Sequence, residues 1–504
     1  MSKKMITKLN FRILMIIFSI TIFVIIVGCQ SEEHNQSSGV GQISITDIPL
    51  EKPMNVNSKH FDLVAKKATW NIKGKSFEAW TYNGTIPGEE IRVEEGDWVE
   101  VILKNELDEP VTIHWHGMVL PNGMDGVAGI TQNAVQPEET FTYQFKALES
   151  GTYWYHSHQN GFEQVDRGLY GALIVEPKEK SYDHDYVLML DEWDIGENNR
   201  GMMNMMGERG TPGEMDSQML YQTFTVNGKS APNIQPIDVN DGEIVRLRII
   251  NAGYQKHVLY LNDHPYRIVA IDSKEVVNAQ LTTDVLTVAP GERIDLEFKE
   301  TQTKDWFIDS PNAVEEAEDI KIPVNIVGID EKSSYSYRDA KNLKLIDITQ
   351  QGNMKPIIDI NQKQDIEYTM DLSVDMGMMQ RGMSYTINGE TFPDTEPIQV
   401  NKGDLVKVNI TNNSMLDHPM HLHGHYFQVI SKNGTPLEIP LVKDLINVKP
   451  HEQYEILFIA DNPGDWLFHC HDLLHAANGM ITAVKYNGYY SPFELNGEFH
   501  NEPE

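Results

Sequence analysis

The sequence predicts an all-β protein built from three Greek-key β-sandwich domains in series. Two observations carry this reading. Apolar and polar residues alternate with a period of two in short runs bounded by Gly, Pro and Asn, the pattern of half-buried antiparallel strands. Four sequence blocks also recur three times in one order, which makes the chain three copies of a single unit. At 504 residues with 40% apolar content it is long enough to bury several cores.

The first block is an Asn-Gly turn, at Asn83-Gly84, Asn227-Gly228 and Asn388-Gly389. The second is a Gly-acid turn opening an alternating strand: Gly96-Asp97 to Val101, Gly242-Glu243 to Leu247 and Gly403-Asp404 to Val408. The third is Val-x-Pro-x-Glu or a near variant, running from Val135, Val288 and Val448. The fourth is a strand opening on Tyr153, Trp306 or Trp466, in each copy sixteen residues after the block-three proline. Polar stretches near Lys178–His184 and Glu331–Asn342 divide the copies. The expected domains are therefore 46–178, 179–333 and 334–490, with a tether at 29–45 and a tail at 491–504.

Aligning the copies separates chemistry from fold. Fifteen residues after Val99 stands His114, then His116; fifteen after Val406 stands His421, then His423. The same count from Val245 reaches Tyr260 and Asn262. In block four the outer copies carry His156-Ser157-His158 and His469-Cys470-His471, where the middle copy has Asp309-Ser310-Pro311. His-x-His on a strand places both imidazoles on one face. Eight imidazoles in four matched pairs suit copper, zinc, iron or nickel, and no packing requirement asks for them. The third copy adds His418, Cys470, His475 and Met480. Two His, one Cys and a weak axial Met describe a blue copper centre. His257 aligns with His418 but lacks a thiolate beside it, Ser310 standing there, and reads as structural.

These motifs resemble those of the multicopper oxidases, the laccase and cuprous oxidase group, over residues 46 to 490. The resemblance implies cupredoxin-like domains and four copper ions: type 1 copper on His418, Cys470, His475 and Met480, type 2 on His114 and His421, and a type 3 pair on His116, His156, His471 and on His158, His423, His469. It implies one-electron oxidation of a substrate coupled to four-electron reduction of O₂ to water. Cys470, bracketed by cluster ligands, would carry the electrons. Asp125 matches a family acid that relays protons, although a turn Asp before Gly is the plainer reading. A second acid that some bacterial members carry is replaced by Ala476, for which Asp472 is a candidate substitute.

The reducing substrate is Cu(I) or a phenol. Thioethers select Cu(I), and Met202, Met203, Met205 and Met206, with Met215 and Met219 nearby, form one cluster; Met376, Met378, Met379 and Met383 form another. Methionine also fills core gaps. Metal-oxidising members often place an acid where this chain has Ser414; Asp417, next to His418, could instead guide a cation or accept a phenolic proton, and the sequence does not choose between the two. A copper-storage lipoprotein would not need Cys470 between cluster ligands, and a copper nitrite reductase would lack four His-x-His pairs.

The formal net charge of −33 excludes nucleic acid as a partner and favours solubility or cation attraction. Lys3, Lys4, Lys8 and Arg12 precede an apolar run ending at Gly28-Cys29. The run is short for a spanning helix and resembles a bacterial lipobox. It implies a signal peptide at 1–28, lipidation at Cys29 and a protein held at the outer face of the cytoplasmic membrane; an uncut anchor is the rival. The sequence does not fix the oligomeric state, for which a monomer is the expectation.

Overall fold

Each copy of the repeat starts from one strand pairing. Ser58–Ile72 runs parallel to Trp98–Asn105, His184–Trp193 to Ile244–Asn251, and Ile366–Met376 to Leu405–Asn412. A parallel pair needs a crossover, and the Asn-Gly turn begins it. Asn83, Asn227 and Asn388 sit at φ of 58°, 50° and 55°, a left-handed conformation that Asn tolerates and hairpin turns require. Their side chains accept from the N–H groups of Val64, Met189 and Asp371 at 2.8 Å. The second strand of each pair then runs antiparallel to the strand after block three: Thr140–Lys146, Arg293–Lys299 or Gln453–Ile459. The computed structural model describes residues 42–195, 221–311, 318–328, 344–351, 353–376 and 383–504.

The three β-sandwiches expected from the repeats are present. In the first, Lys75–Tyr82, Ser58–Ile72, Trp98–Asn105 and Thr140–Lys146 face a sheet of Gly88–Glu94, Tyr170–Glu176, Gly151–His156 and His114–His116. In the third, one sheet is Ile398–Val400, Ile481–Tyr486, Asp465–Cys470, His418–Leu422 and Leu445–Val448. All four His-x-His motifs thus begin on or run off the ends of strands in these two sheets. Alternation does the packing: Val99, Val101 and Leu103 point into the core, fully buried. In the second sandwich a seven-stranded sheet ends on Asn353–Met354, which pairs with Lys274–Val277. Residues after position 333, assigned by sequence to the third domain, thus complete the second; Val276 and Met354 are both buried by the pairing.

One residue pins the loop that leads to the metal-ligand strands. Each block-two strand ends on a buried asparagine: Asn105, Asn251 or Asn412. Its amide donates to the carbonyl four residues on and to that of Val135, Val288 or Val448. Its Oδ1 accepts from the N–H two residues on. A buried amide left without partners costs about 1–3 kcal/mol, so Asn with this loop length is a joint requirement.

Candidate metal centres

His114 and His156 are direct partners in the first sandwich, as His421 and His469 are in the third. The two sheet ends face each other. His114 stacks on His423 with ring centroids 4.0 Å apart, and His116 on His421 at 3.8 Å. The ligand atoms fall into groups whose members lie within 4.8 Å of one another: His114, His116 and His421; His116, His156 and His471; His158, His423 and His469. All eight imidazoles of the His-x-His pairs are buried.

Backbone carbonyls fix the tautomers. Nδ1–H donates to a carbonyl from His114 (Asp125, 2.9 Å), His156 (Ser157, 2.9 Å), His158 (Pro503, 2.5 Å), His421 (Asp444, 2.9 Å) and His469 (Cys470, 3.0 Å). Nε2 of each is left as a lone pair, and those of His114, His156, His158 and His421 have no hydrogen bond, nor does either nitrogen of His116 or His471. Nε2 of His423 and His469 are 2.9 Å apart. Burial, and after it mainly the neighbouring imidazoles, pushes His116, His156, His158, His423, His469 and His471 well below the ordinary histidine range. Neutral, buried lone pairs aimed at one another repel unless a cation lies among them. The residues therefore fit metal ions.

A second group is built differently. Cys470 Sγ lies 3.8 Å from His418 Nδ1 and 3.6 Å from His475 Nδ1. Here Nδ1 faces inward, and His418 Nε2 is held by Ser414 Oγ at 2.8 Å. Asp472 caps the helix Leu473–Ala477 that carries His475, accepting from Leu474 N–H. That capping contact, together with its place 3.4 Å from His475 Nε2, puts Asp472 beside this group. Met480 is fully buried, and its carbonyl accepts from Cys470 N–H. Burial takes His418 down to about 4 and pushes the Cys470 thiol well up, so a thiolate there needs a cation beside it. Strand alternation turns Cys470 away from His469 and His471, joining the two groups through single peptide links.

Asp125 lies between the outer domains. Its Oδ2 accepts from His423 Nδ1 at 3.0 Å and its Oδ1 is 3.2 Å from His114 Nδ1. Gly126 permits this placement: at φ +85°, a Cβ there would sit 1.8 Å from the Ile113 carbonyl. Asp417 is partly exposed, with its carboxylate 3.3 Å from Lys256 Nζ and 3.1 Å from Asn447 Nδ2. His257, aligned with His418, is 3.2 Å from Glu192. Met383 packs partly buried against the core, and Met376 pairs with it across the strands. Met202, Met203, Met205, Met206, Met378, Met379 and Cys29 lie outside the described residues.

Sequence reasoning missed three features. Met415 is 75% exposed three residues before His418; its place in that loop was the available signal. A buried charge network joins the second and third domains: Arg293 donates to both oxygens of Asp444 (2.7 and 2.5 Å), and Lys443 reaches Asp272 and Glu292 at 2.8 Å. Arg293 holds Asp444 far below the usual carboxylate range, and the Asp444 backbone in turn holds His421. Glu504, finally, is buried against His158 and His469.

Three family models, each described as multicopper oxidase, match residues 64–180, 184–326 and 359–488. Among curated proteins the chain is similar to the multicopper oxidase MmcO of Mycobacterium tuberculosis, 29% identical over 92% of this chain and 94% of the relative. It is also similar to a copper resistance protein A homolog of Pseudomonas syringae pv. tomato, 26% identical over 86% and 93%. Among solved structures, a multi-copper oxidase from Pseudomonas thermotolerans superposes with a TM-score of 0.66 at 27% identity, covering 86% of this chain and all of the other.

Proposed function

The chain belongs to the multicopper oxidase family, copper-dependent oxidoreductases that use O₂, and from that premise we propose that it holds four copper ions and oxidises Cu(I) in copper tolerance. The observation that supports the ligand assignment is the gathering of buried lone pairs into one His-Cys-His group and three His groups, two of which share His116. Type 1 copper is assigned to His418, Cys470, His475 and Met480, type 2 to His114 and His421, and the type 3 pair to His116, His156, His471 and to His158, His423, His469. Bound copper supplies one-electron oxidation of the substrate and four-electron reduction of O₂ to water. The protein's share is orientation and insulation: carbonyls fix the ring tautomers, burial keeps them neutral, and Cys470 sits one residue from a ligand on either side.

Asp125 is proposed to deliver protons, since it alone of the acids named by sequence touches a ligand from each outer domain. Asp125→Asn should slow turnover by about 10- to 100-fold, the usual effect of losing a carboxylate behind a metal-bound His, with the blue site accumulating in its reduced form. Slower reduction of the blue site would place Asp125 elsewhere in the cycle.

Cu(I) is favoured as substrate by the thioether clusters, by exposed Met415 beside the loop carrying His418, by the net charge of −33 and by the copper resistance protein A relatives. The engagement of Asp417 by Lys256 and Asn447 favours the second reading, a phenol-oxidising laccase, because that carboxylate already has cationic and amide partners. Met→Leu replacement preserves bulk and removes sulfur. Replacing Met202, Met203, Met205 and Met206, or Met376, Met378 and Met379, or Met415, should lower cuprous oxidation selectively while a bulky phenol is still oxidised. Wild-type cuprous kinetics in all three variants would decide for the laccase. The lipobox at Cys29 is proposed to hold the enzyme outside the cytoplasmic membrane; no helix among the described residues is long and apolar enough to cross one.

A further inference from the structure

Residues 491–504 follow the last sandwich in sequence but return across the first. Ser491 Oγ donates to the Ile130 carbonyl, Gln159 Nε2 to that of His500, and Asn160 N–H to that of Glu502. Asn501, 2% exposed, is the anchor. Its Oδ1 accepts from Ala134 N–H at 2.8 Å, and its amide donates to Asn133 Oδ1 at 3.0 Å and to the Glu494 carbonyl at 2.8 Å. This path delivers two groups to the His cluster. The Pro503 carbonyl accepts from His158 Nδ1. The Glu504 carboxylate, its side chain 2% exposed, lies with Oε1 3.2 Å from His158 Nε2 and 3.4 Å from His469 Nδ1.

Two acceptors this close require a positive charge between them, either a proton or a metal ion. With His158 Nδ1–H given to Pro503, its Nε2 is a lone pair, and a carboxylate oxygen 3.2 Å away is another acceptor. Neither Glu504 oxygen has a hydrogen bond. Space for the carboxylate is kept by Gly161, where a Cβ would stand 2.5 Å from Oε2. His158 belongs to the first domain and His469 to the third, so one side chain addresses both halves of the centre.

We propose that Glu504 is a positioning residue of the group formed by His158, His423 and His469: its charge balances the metal held there, and the segment anchored by Asn501 fixes the two rings. The inference rests on reading those histidines as copper ligands. It adds an acid that the motifs do not contain.

The test uses the whole copper-loaded protein. Glu504→Gln keeps the shape and removes the charge, while Asn501→Ala releases the anchor. Both should retain the blue band of the Cys470 site. Both should lose cluster copper to a chelator about 10- to 100-fold more readily, with elemental analysis showing fewer ions per chain and paramagnetic resonance showing a copper parted from its coupled neighbour. Wild-type protein holding fewer than four ions would defeat the ligand assignment itself. If wild type holds four, Glu504→Gln with unchanged copper retention and resonance spectrum overturns the proposal, whatever Asn501→Ala does. Loss of the blue band in Glu504→Gln along with cluster copper would also overturn it, as a general defect in folding.

Discussion

The second and third sandwiches place different side chains at the same strand positions. His421 pairs with His469 in the third, and Tyr260 pairs with Asp309 in the second. His418 opposes Val448, as His257 opposes Val288. Cys470 answers to Ser310, whose Oγ donates to the Val258 carbonyl. Met480 answers to Ile320, equally buried. The frame, down to the Asn412 and Asn251 hydrogen bonds, is shared. The frame therefore fixes where a ligand can stand, and the side chain alone decides whether chemistry occurs there. The middle domain serves instead as a brace. Through Asp272, Glu292 and Arg293 it grips Lys443 and Asp444 beneath His421.

The sharpest way to break the comparison is to make the third domain resemble the others at one atom. Cys470→Ser installs the residue that Ser157 and Ser310 already show the strand accepts. It should abolish the blue absorption and nearly all turnover, because a hydroxyl does not provide the soft thiolate of a blue site. Copper in the His cluster should remain. Oxidase activity near wild type would disprove the role given to Cys470.

Removing the brace should cost stability first and cluster copper with it. Arg293 is fully buried, and it also donates to the Thr152 carbonyl of the first domain. Arg293→Met leaves Asp444 buried without its cation, a change that typically costs about 3–5 kcal/mol. The urea midpoint should fall, and copper bound by His421 should be lost before the blue copper. An unchanged midpoint would show that the second domain contributes no such support.

The imidazole cage also sets a pH dependence. Burial holds His418 at about 4 against an ordinary 6.5. Between those values the unfolded chain binds the extra proton, so stability rises with pH. The contribution, roughly 3 kcal/mol at 1.36 kcal/mol per unit, is present above 6.5 and lost as pH falls through 4. His116, His156, His158, His421, His423, His469, His471 and His475, shifted the same way by burial, add to it. Copper-free protein should therefore unfold at markedly lower urea at about pH 5 than at about pH 7.5. Equal midpoints would contradict the burial of neutral rings.

How much was legible follows from how each feature is encoded. Ligand pairs two residues apart, repeated at matched offsets, are local patterns, and they show in the sequence itself. The repeated asparagine at the end of each block-two strand was equally available to the same alignment. The Arg293–Asp444 pair was not, because it joins positions 151 apart through residue types that usually face solvent. Glu504 was hidden for the same reason: nothing local says that a Glu so far from His158 returns to it. The soft-ligand reading of Met383 met a different obstacle, since a partly buried thioether packs as a core residue does.

The smallest expected effect sharpens the comparison most. Ser310→Cys gives the second domain a thiol at the position of Cys470, beside a histidine at the position of His418. If thiolate and histidine on this frame were enough, a second blue centre should form. The structure predicts that none will. His257 is already engaged 3.2 Å from Glu192 Oε2, so copper would have to displace a buried carboxylate. The position of the axial Met480 holds Ile320, which offers no donor atom. Copper-loaded Ser310→Cys should therefore show wild-type blue absorbance per chain and wild-type turnover. A rise in blue absorbance would show that the thiol alone separates the two domains, and that Glu192 and Ile320 do not guard the site.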